Sequence, residues 1–168
     1  MKHALAVLAA ALAGCCFVQE RAASIDVREV ARSTYCNTPG EAARVRLLAG
    51  AQAVADWQAS RGASLTGDGT LAPATYVIVE HGLRRTGGYG LVVAPAATLR
   101  GDVVVLRATL SGPPPGAMTT QALSSPCVLV QLPDGRYAGV EVRDAAGTVL
   151  ATGSFTEAPG QAVPEAVR

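Results

Sequence analysis

The amino-acid sequence predicts an α+β fold that is mainly β: an antiparallel sheet, arranged as a sandwich or a partly open barrel, with one helix packed on it. Short apolar runs rich in Val, Ile, Leu and Thr recur between clusters of Gly, Pro, Asn and Asp, which is typical of strands joined by turns. Only residues 51–60 place apolar side chains at helical spacing. The 168 residues, 49% of them hydrophobic, suit one domain, and the 4% aromatic content predicts a mainly aliphatic core.

Two strands are predicted before the helix. Residues 25–35 mix Val, Ile, Thr and Tyr with charges and predict a first strand that ends in dense turn chemistry. Residues 43–48 predict a second, because Val45 and Leu47 alternate with arginines as on a sheet with one buried face.

The helix is predicted over residues 51–60. Val54 and Trp57 share its apolar side, and Gly62 stands where a left-handed cap is expected. We expect Trp57, the sole tryptophan, to anchor the helix in the core.

A glycine-rich loop at residues 82–90 lies between apolar strands at 76–79 and 91–93. Gly87 and Gly88 reach positive φ without a steric penalty, so they predict the tight reversal of a hairpin between these strands. The extra residues predict a protruding loop with two arginines, and a merely connecting loop is the alternative.

Four further strands are predicted, at residues 103–110, 126–132, 137–143 and 148–153. The second of these is almost continuously apolar, which indicates a central strand. Asp134-Gly135 predicts a hairpin turn into the third. Residues 112–116 are rich in proline and predict a stiff connection.

The amino terminus has the layout of an export signal. Lys2 precedes an apolar stretch too short to span a membrane, and Leu12-Ala13-Gly14-Cys15 resembles a bacterial lipobox. The predicted organisation is therefore a lipoprotein signal peptide at 1–14, a lipid-anchored tether at 15–24, a single domain at 25–155 and a disordered tail at 156–168. An ordinary signal peptide cut near residues 22–23 is the alternative. Because the residue after Cys15 is Cys16 and not Asp, in a Gram-negative host we expect the default destination of such lipoproteins, the outer membrane, with the domain facing the periplasm.

An exported chain meets an oxidising compartment, so Cys36 and Cys127 are candidates for a disulfide. Cys16 allows two other pairings, and Cys127 as a buried free thiol is a further alternative. We favour Cys36–Cys127 because both cysteines adjoin predicted structure.

Charge and composition argue against several functional classes. Removing residues 1–14 removes the single lysine, so 13 of 14 basic residues remain against 13 acidic ones and the formal charge is zero. This predicts no binding of nucleic acid and no membrane contact beyond the lipid anchor. His81 is the only histidine after the signal peptide, and no phosphate-binding motif is present, so we expect neither an enzyme, a metal site nor a cofactor.

Two linked motifs resemble the PrcB-type family. The first is Val77-Ile78-Val79 with Gly82 and Arg85-Thr86-Gly87-Gly88-Tyr89; the second is Pro114-Pro115-Gly116, then Thr119-Thr120-Gln121-Ala122-Leu123, then Pro126-Cys127-Val128. The sequence departs from the family pattern at Ser124-Ser125 and at Cys127, where an aromatic residue is usual. The resemblance implies a non-catalytic, exported and often lipid-anchored domain associated with a protease complex.

From this resemblance we expect an envelope protein-binding or assembly module whose partner is another envelope protein, with a protease as a candidate. The predicted binding residues are Arg85, Thr86, Gly87, Gly88, Tyr89, Thr120 and Gln121. Thr86-Gly87-Gly88-Tyr89 also resembles the inhibitory loop of chagasin-type protease inhibitors, which makes protease inhibition the first alternative. A structural or small-ligand-binding lipoprotein is the second.

Overall fold

The computed structural model describes residues 22–67 and 69–155. The elements are, in order, β1 Ala22–Asp26, β2 Arg28–Ser33, β3 Arg44–Ala49, α1 Gly50–Arg61, β4 Thr75–Glu80, β5 Gly90–Val93, β6 Ala96–Arg100, β7 Val103–Ser111, β8 Cys127–Gln131, β9 Gly139–Arg143 and β10 Val149–Ser154. The predicted signal peptide, the lipidation site Cys15 and the predicted tail at 156–168 lie outside the described residues. Within the described ranges, no helix has the length and apolarity needed to cross a bilayer.

The strands form two sheets that pack face to face. The first has the order β1-β6-β7-β9-β10, with β5 on the last residues of β7, and the second has the order β2-β8-β4-β3. Every pair of named strands is antiparallel except β7 with β9. This confirms the predicted mainly β α+β class. The sheets form a sandwich that is not a closed barrel, although β10 approaches β3 through an isolated bridge between Leu47 and Phe155.

The predicted first strand is two strands in two different sheets. β1 pairs with β6, whereas β2 pairs with β8. Val27 lies between them with its side chain buried, and its amide donates to Pro95 O at 2.8 Å. The chain therefore passes from one sheet to the other at Val27, and β1 includes residues 22–24 that the sequence assigned to the tether.

The predicted hairpin at Gly87-Gly88 is wrong, because β4 and β5 lie in different sheets. Gly87 donates its amide to Thr120 O at 3.0 Å instead of closing a turn against β4. The turn predicted at Asp134-Gly135 fails in the same way, since β8 and β9 also lie in different sheets. The last two strands do form an antiparallel hairpin, closed by Gly147 N–H to Asp144 O at 3.1 Å.

The main core lies between the two sheets. The alternate residues predicted to face inward are buried there, among them Val45, Leu47, Val104, Leu106 and Val142. Burial of these aliphatic side chains supplies the main stabilisation expected of a sandwich.

A second core lies between the outer face of the second sheet and the helix. Val54 and Trp57 of α1 pack there with Tyr76, Ile78 and Leu129, as the helical spacing predicted for the first two. β4 and β8 are consequently buried on both faces, which explains their nearly continuous apolar sequences. Gly62 ends the helix at φ 59°, the predicted left-handed cap, and Ala63 N–H donates to Gln58 O at 3.0 Å.

The strand register brings three connections together at one end of the sandwich, here called the loop end: residues 34–43, 81–89 and 112–126. Gly90 starts β5 opposite Ser111, where β7 finishes, and Glu80 finishes β4 opposite Cys127, where β8 starts. At the other end, β1 starts at Ala22 opposite Arg100. The first described residue is thus far from the loop end along the strands.

Candidate functional site

The two halves of the predicted motif are paired at the loop end. Arg84 and Ser124 exchange two backbone hydrogen bonds, at 2.7 and 2.9 Å. The Ser124 hydroxyl donates to Thr86 O at 2.7 Å, and Gly87 N–H donates to Thr120 O at 3.0 Å. The glycine-rich loop therefore lies along residues 120–124 as an irregular ladder.

The backbone of this loop approaches other residues closely at two glycines. Gly82 has φ +93°, and a Cβ there would lie 2.3 Å from Glu41 O, so the loop starts against the backbone of residues 41–42. A Cβ on Gly87 would lie 2.2 Å from Thr120 Oγ1. A side chain at Gly87 would displace the Thr120 hydroxyl, so the two motif halves approach closely at this point.

The side chains of His81, Arg84 and Tyr89 form a cluster that supports the loop. The Arg84 guanidinium donates from Nε and Nη2 to His81 Nδ1, at 3.1 and 3.0 Å, and from Nη2 to His81 O at 3.0 Å. The Tyr89 ring meets the His81 ring edge-on at 5.6 Å, and Arg84 lies 5.6 Å from the centre of the Tyr89 ring. The cluster fixes Arg84 and Tyr89 against a buried histidine.

The hydrogen bonds assign His81 as neutral, with its proton on Nε2, because Nδ1 accepts from Arg84. Burial is the largest influence on the pKa of His81 and lowers it. The backbone of His81 partly opposes this, the nearby Arg84 charge lowers the pKa further, and the backbone of Ser111 has the smallest, opposing effect. Nε2 is buried and has no partner among the described residues. The sequence did not lead us to assign His81 or Arg84 to the site. The sequence feature that pointed to them was their position on either side of Gly82, at the start of the predicted loop.

The predicted binding residues differ in exposure. Arg85, Gly88, Thr120 and Gln121 are exposed, whereas Thr86, Gly87 and Tyr89 are half-buried. Within the described ranges, the side chains of Arg85 and Gln121 make no hydrogen bond or ion pair.

Large apolar side chains are exposed on the same connections. Leu123 belongs to the segment that pairs with the loop, Met118 precedes that segment in the same connection, and Tyr35 is bridged to Ser125. Arginine, aromatic and methionine side chains around an apolar centre are the composition found enriched at protein interfaces.

The Cys36–Cys127 disulfide that the sequence favoured is present, with the two Cα atoms 6.1 Å apart. Both cysteines are buried. Cys36 N–H donates to Ser125 O at 3.0 Å, so the bond fastens residues 34–43 beside the motif.

A buried ion pair fastens the helix to the same end. Arg61 Nη2 lies 3.3 Å from Glu80 Oε1, and the Thr38 hydroxyl donates to that oxygen at 3.0 Å. Burial lowers the pKa of Arg61, and Glu80 opposes this effect. Both residues of the pair help to attach α1 to β4.

In the described part of the chain, no group of three or more His, Cys, Asp or Glu side chains is placed to hold a metal ion.

A groove of about 400 Å³ opens next to Tyr89, between the edges of β2 and β5. Arg32 and Thr34 line one wall, Tyr89 and Leu91 line the other, and Pro126 lies between them. Its volume falls in the lower range of ligand-binding clefts.

In a comparison with known families, residues 75–133 match the family model described as "PrcB C-terminal". The matched segment runs from the start of β4 to just beyond β8 and contains both halves of the motif. Comparisons with curated proteins and with solved structures each found no match.

Proposed function

Residues 75–133 match the PrcB C-terminal family, and from this premise we propose that the protein is a non-catalytic binding module of the cell envelope. The family suggests association with a protease complex subunit. The proposed contact surface is the loop end, and the proposed partner is a protease or another subunit of its complex.

The observation that carries this proposal is the paired motif. Its backbone hydrogen bonds join residues 84–87 to residues 120–124, and the Arg85 and Gln121 side chains stay exposed on either side of the pairing. A surface fixed in advance loses little conformational entropy on binding. Polar groups at its rim then orient a partner that covers Leu123 and Met118.

The lipid anchor is part of the proposal. If Cys15 is acylated, the residues between it and Ala22 allow a reach of roughly 20–25 Å at full extension. β1 starts at the end of the sandwich opposite the loop end. A tethered domain is therefore able to present the loop end away from the bilayer.

Chemical crosslinking in intact envelopes, followed by affinity purification of the tagged full chain, tests the proposal. We expect a peptidase subunit in the crosslinked product, with at least about tenfold less recovery for Arg85→Ala combined with Gln121→Ala. Arg136→Ala is the matched control, because Arg136 is an exposed arginine between β8 and β9 at the opposite end. No peptidase subunit in the product, or an equal loss with Arg136→Ala, would contradict the proposal.

No observation favours inhibition of a protease by the Thr86-Gly87-Gly88-Tyr89 segment. Thr86 O and Gly87 N–H are already used in hydrogen bonds within the protein. Tyr89 packs on His81.

A further inference from the structure

The groove beside Tyr89 arises from the passage of the chain between the sheets. β1 pairs with β6, but beyond Val27 the chain leaves that sheet and β2 joins β8. β5, which precedes β6 along the edge of the first sheet, is left without a neighbour on its outer side and pairs only with β7. The groove is the space between the two separated edges.

The edge of β5 lines this groove at Gly90 and Leu91, and Val93 follows on the same edge beyond the groove. Ala94 N–H donates to Arg107 O at 2.9 Å, and the register places Val92 opposite Thr109. Because hydrogen bonding alternates along an antiparallel pair, Gly90 and Val92 bond to β7, whereas the N–H and C=O groups of Leu91 and Val93 point away from it. Those groups have no hydrogen-bond partner within the described ranges.

The two edges differ in their protection against strand addition. β2 has charged residues at Arg28, Glu29 and Arg32, and a register irregularity between Glu29 and Ala31. β5 has no charge and no irregularity, and its Val92 side chain is 54% exposed. Charges and bulges are the usual means by which proteins prevent pairing at an open edge, so β5 is the edge left available.

The charge near this edge is positive. No acidic residue occurs between His81 and Gly101. Arg84 lies against Tyr89, which lines the groove, and neither Arg84 nor Arg85 pairs with a carboxylate in the described part of the chain. Arg32 on the opposite wall is already paired with Glu29 at 2.6 Å.

We propose that the edge of β5 binds an extended acidic segment of the partner protein as an added strand. Main-chain hydrogen bonds to Leu91 and Val93 hold the segment, and its carboxylates face Arg84 and Arg85. This inference rests on the proposed binding function and names the chemistry of the partner. Strand addition takes its affinity from the main chain and its specificity from alternate side chains.

The probe is an acetylated, amidated, fluorescein-labelled octapeptide of alternating Val and Glu, titrated with the full chain and followed by fluorescence polarisation. We expect saturable binding that is weakened at least about tenfold when Lys replaces Glu or when alternate amides are N-methylated. Hydrogen exchange at the Leu91 and Val93 amides slows in the complex. No binding up to about 1 mM, equal binding of the Lys peptide, or protection of β2 amides instead would overturn the proposal.

Val92→Asp places a like charge on the edge and is expected to weaken peptide binding at least about tenfold. Val149→Asp is the matched control, because Val149 is an exposed strand valine in β10. An equal loss with both variants would overturn the β5 assignment. In the crosslinking experiment, retention of the peptidase by Val92→Asp, with its loss in Arg85→Ala/Gln121→Ala, rejects strand addition and leaves the proposed function standing.

Discussion

Removing the Cys36–Cys127 disulfide is expected to destabilise the protein by about 3–5 kcal/mol. The two cysteines are 91 residues apart. In the chain-entropy model a loop of that length contributes about 4.6 kcal/mol, and the range extends lower because denatured chains retain structure. Since a domain of this size is stable by roughly 5–15 kcal/mol, the loss is a large share of the total.

The measurement compares the chain with its Cys36→Ala/Cys127→Ala variant in urea. Both proteins have Cys15 and Cys16 replaced by Ser, which prevents acylation and unwanted thiol pairing. Fluorescence of Trp57, the only tryptophan, reports unfolding, because its side chain is 4% exposed in the native protein. A larger m-value in the variant will show that the denatured state has lost its constraint.

Reduction supplies the control. Under strong reductant the two proteins should differ by only about 1 kcal/mol, the cost of small cavities where two sulfur atoms were packed. A difference below about 1 kcal/mol under oxidising conditions would refute the reasoning.

Three further substitutions test the supports of the loop end. Gly82→Ala should lower the free energy of unfolding by about 2–5 kcal/mol, because of positive-φ strain and overlap with Glu41 O. Gly116→Ala, at φ +77° with open space around it, should lower it by only about 1–2 kcal/mol, as measured in thermal melts. Arg61→Ala should lower the free energy of unfolding in urea by about 3–5 kcal/mol, because it leaves Glu80 buried and unpaired. The double variant Arg61→Leu/Glu80→Leu should be close to neutral, and an equal loss in both variants would contradict this explanation. Because the native state favours neutral His81, the stability that this residue contributes is fully present above the ordinary histidine pKa of about 6.5. This stability declines as the pH falls below that value, by at most about 1.4 kcal/mol per pH unit. His81→Gln should flatten that part of the stability curve, and an unchanged curve would show that His81 does not contribute.

Local sequence patterns predicted the elements well where one physical rule determined them. Alternation with a period of two located β7, and the inward positions Val104 and Leu106 are fully buried. Helical spacing and Gly62 located α1 and its cap. The continuous apolar run at 126–132 correctly indicated a central strand, because β8 lies between β2 and β4.

The strand partners were not predictable from those patterns. Gly87-Gly88 satisfies the requirement of a primed turn, but turn chemistry does not specify which sheet the following strand joins. That choice depends on residues distant in sequence: β5 pairs with β7, and Gly87 contacts Thr120. The pairing of the two motif halves and the supporting contact of Arg84 with His81 were likewise visible only in the structure.

The supports of the loop end share a location that stability alone does not explain. Glu80 is opposite Cys127 in the β4–β8 register, and the next residue, His81, donates its amide to Pro126 O at 2.8 Å. Two neighbouring register positions of β4 and β8 therefore hold the ion pair, the disulfide and the histidine cluster. Buried ionic pairs contribute little stability compared with apolar side chains of similar size, and one documented use of such pairs is to specify a single arrangement. Their concentration where β4 and β8 meet the paired motif indicates that this end of the sandwich is built to hold one shape, as a preorganised binding surface requires.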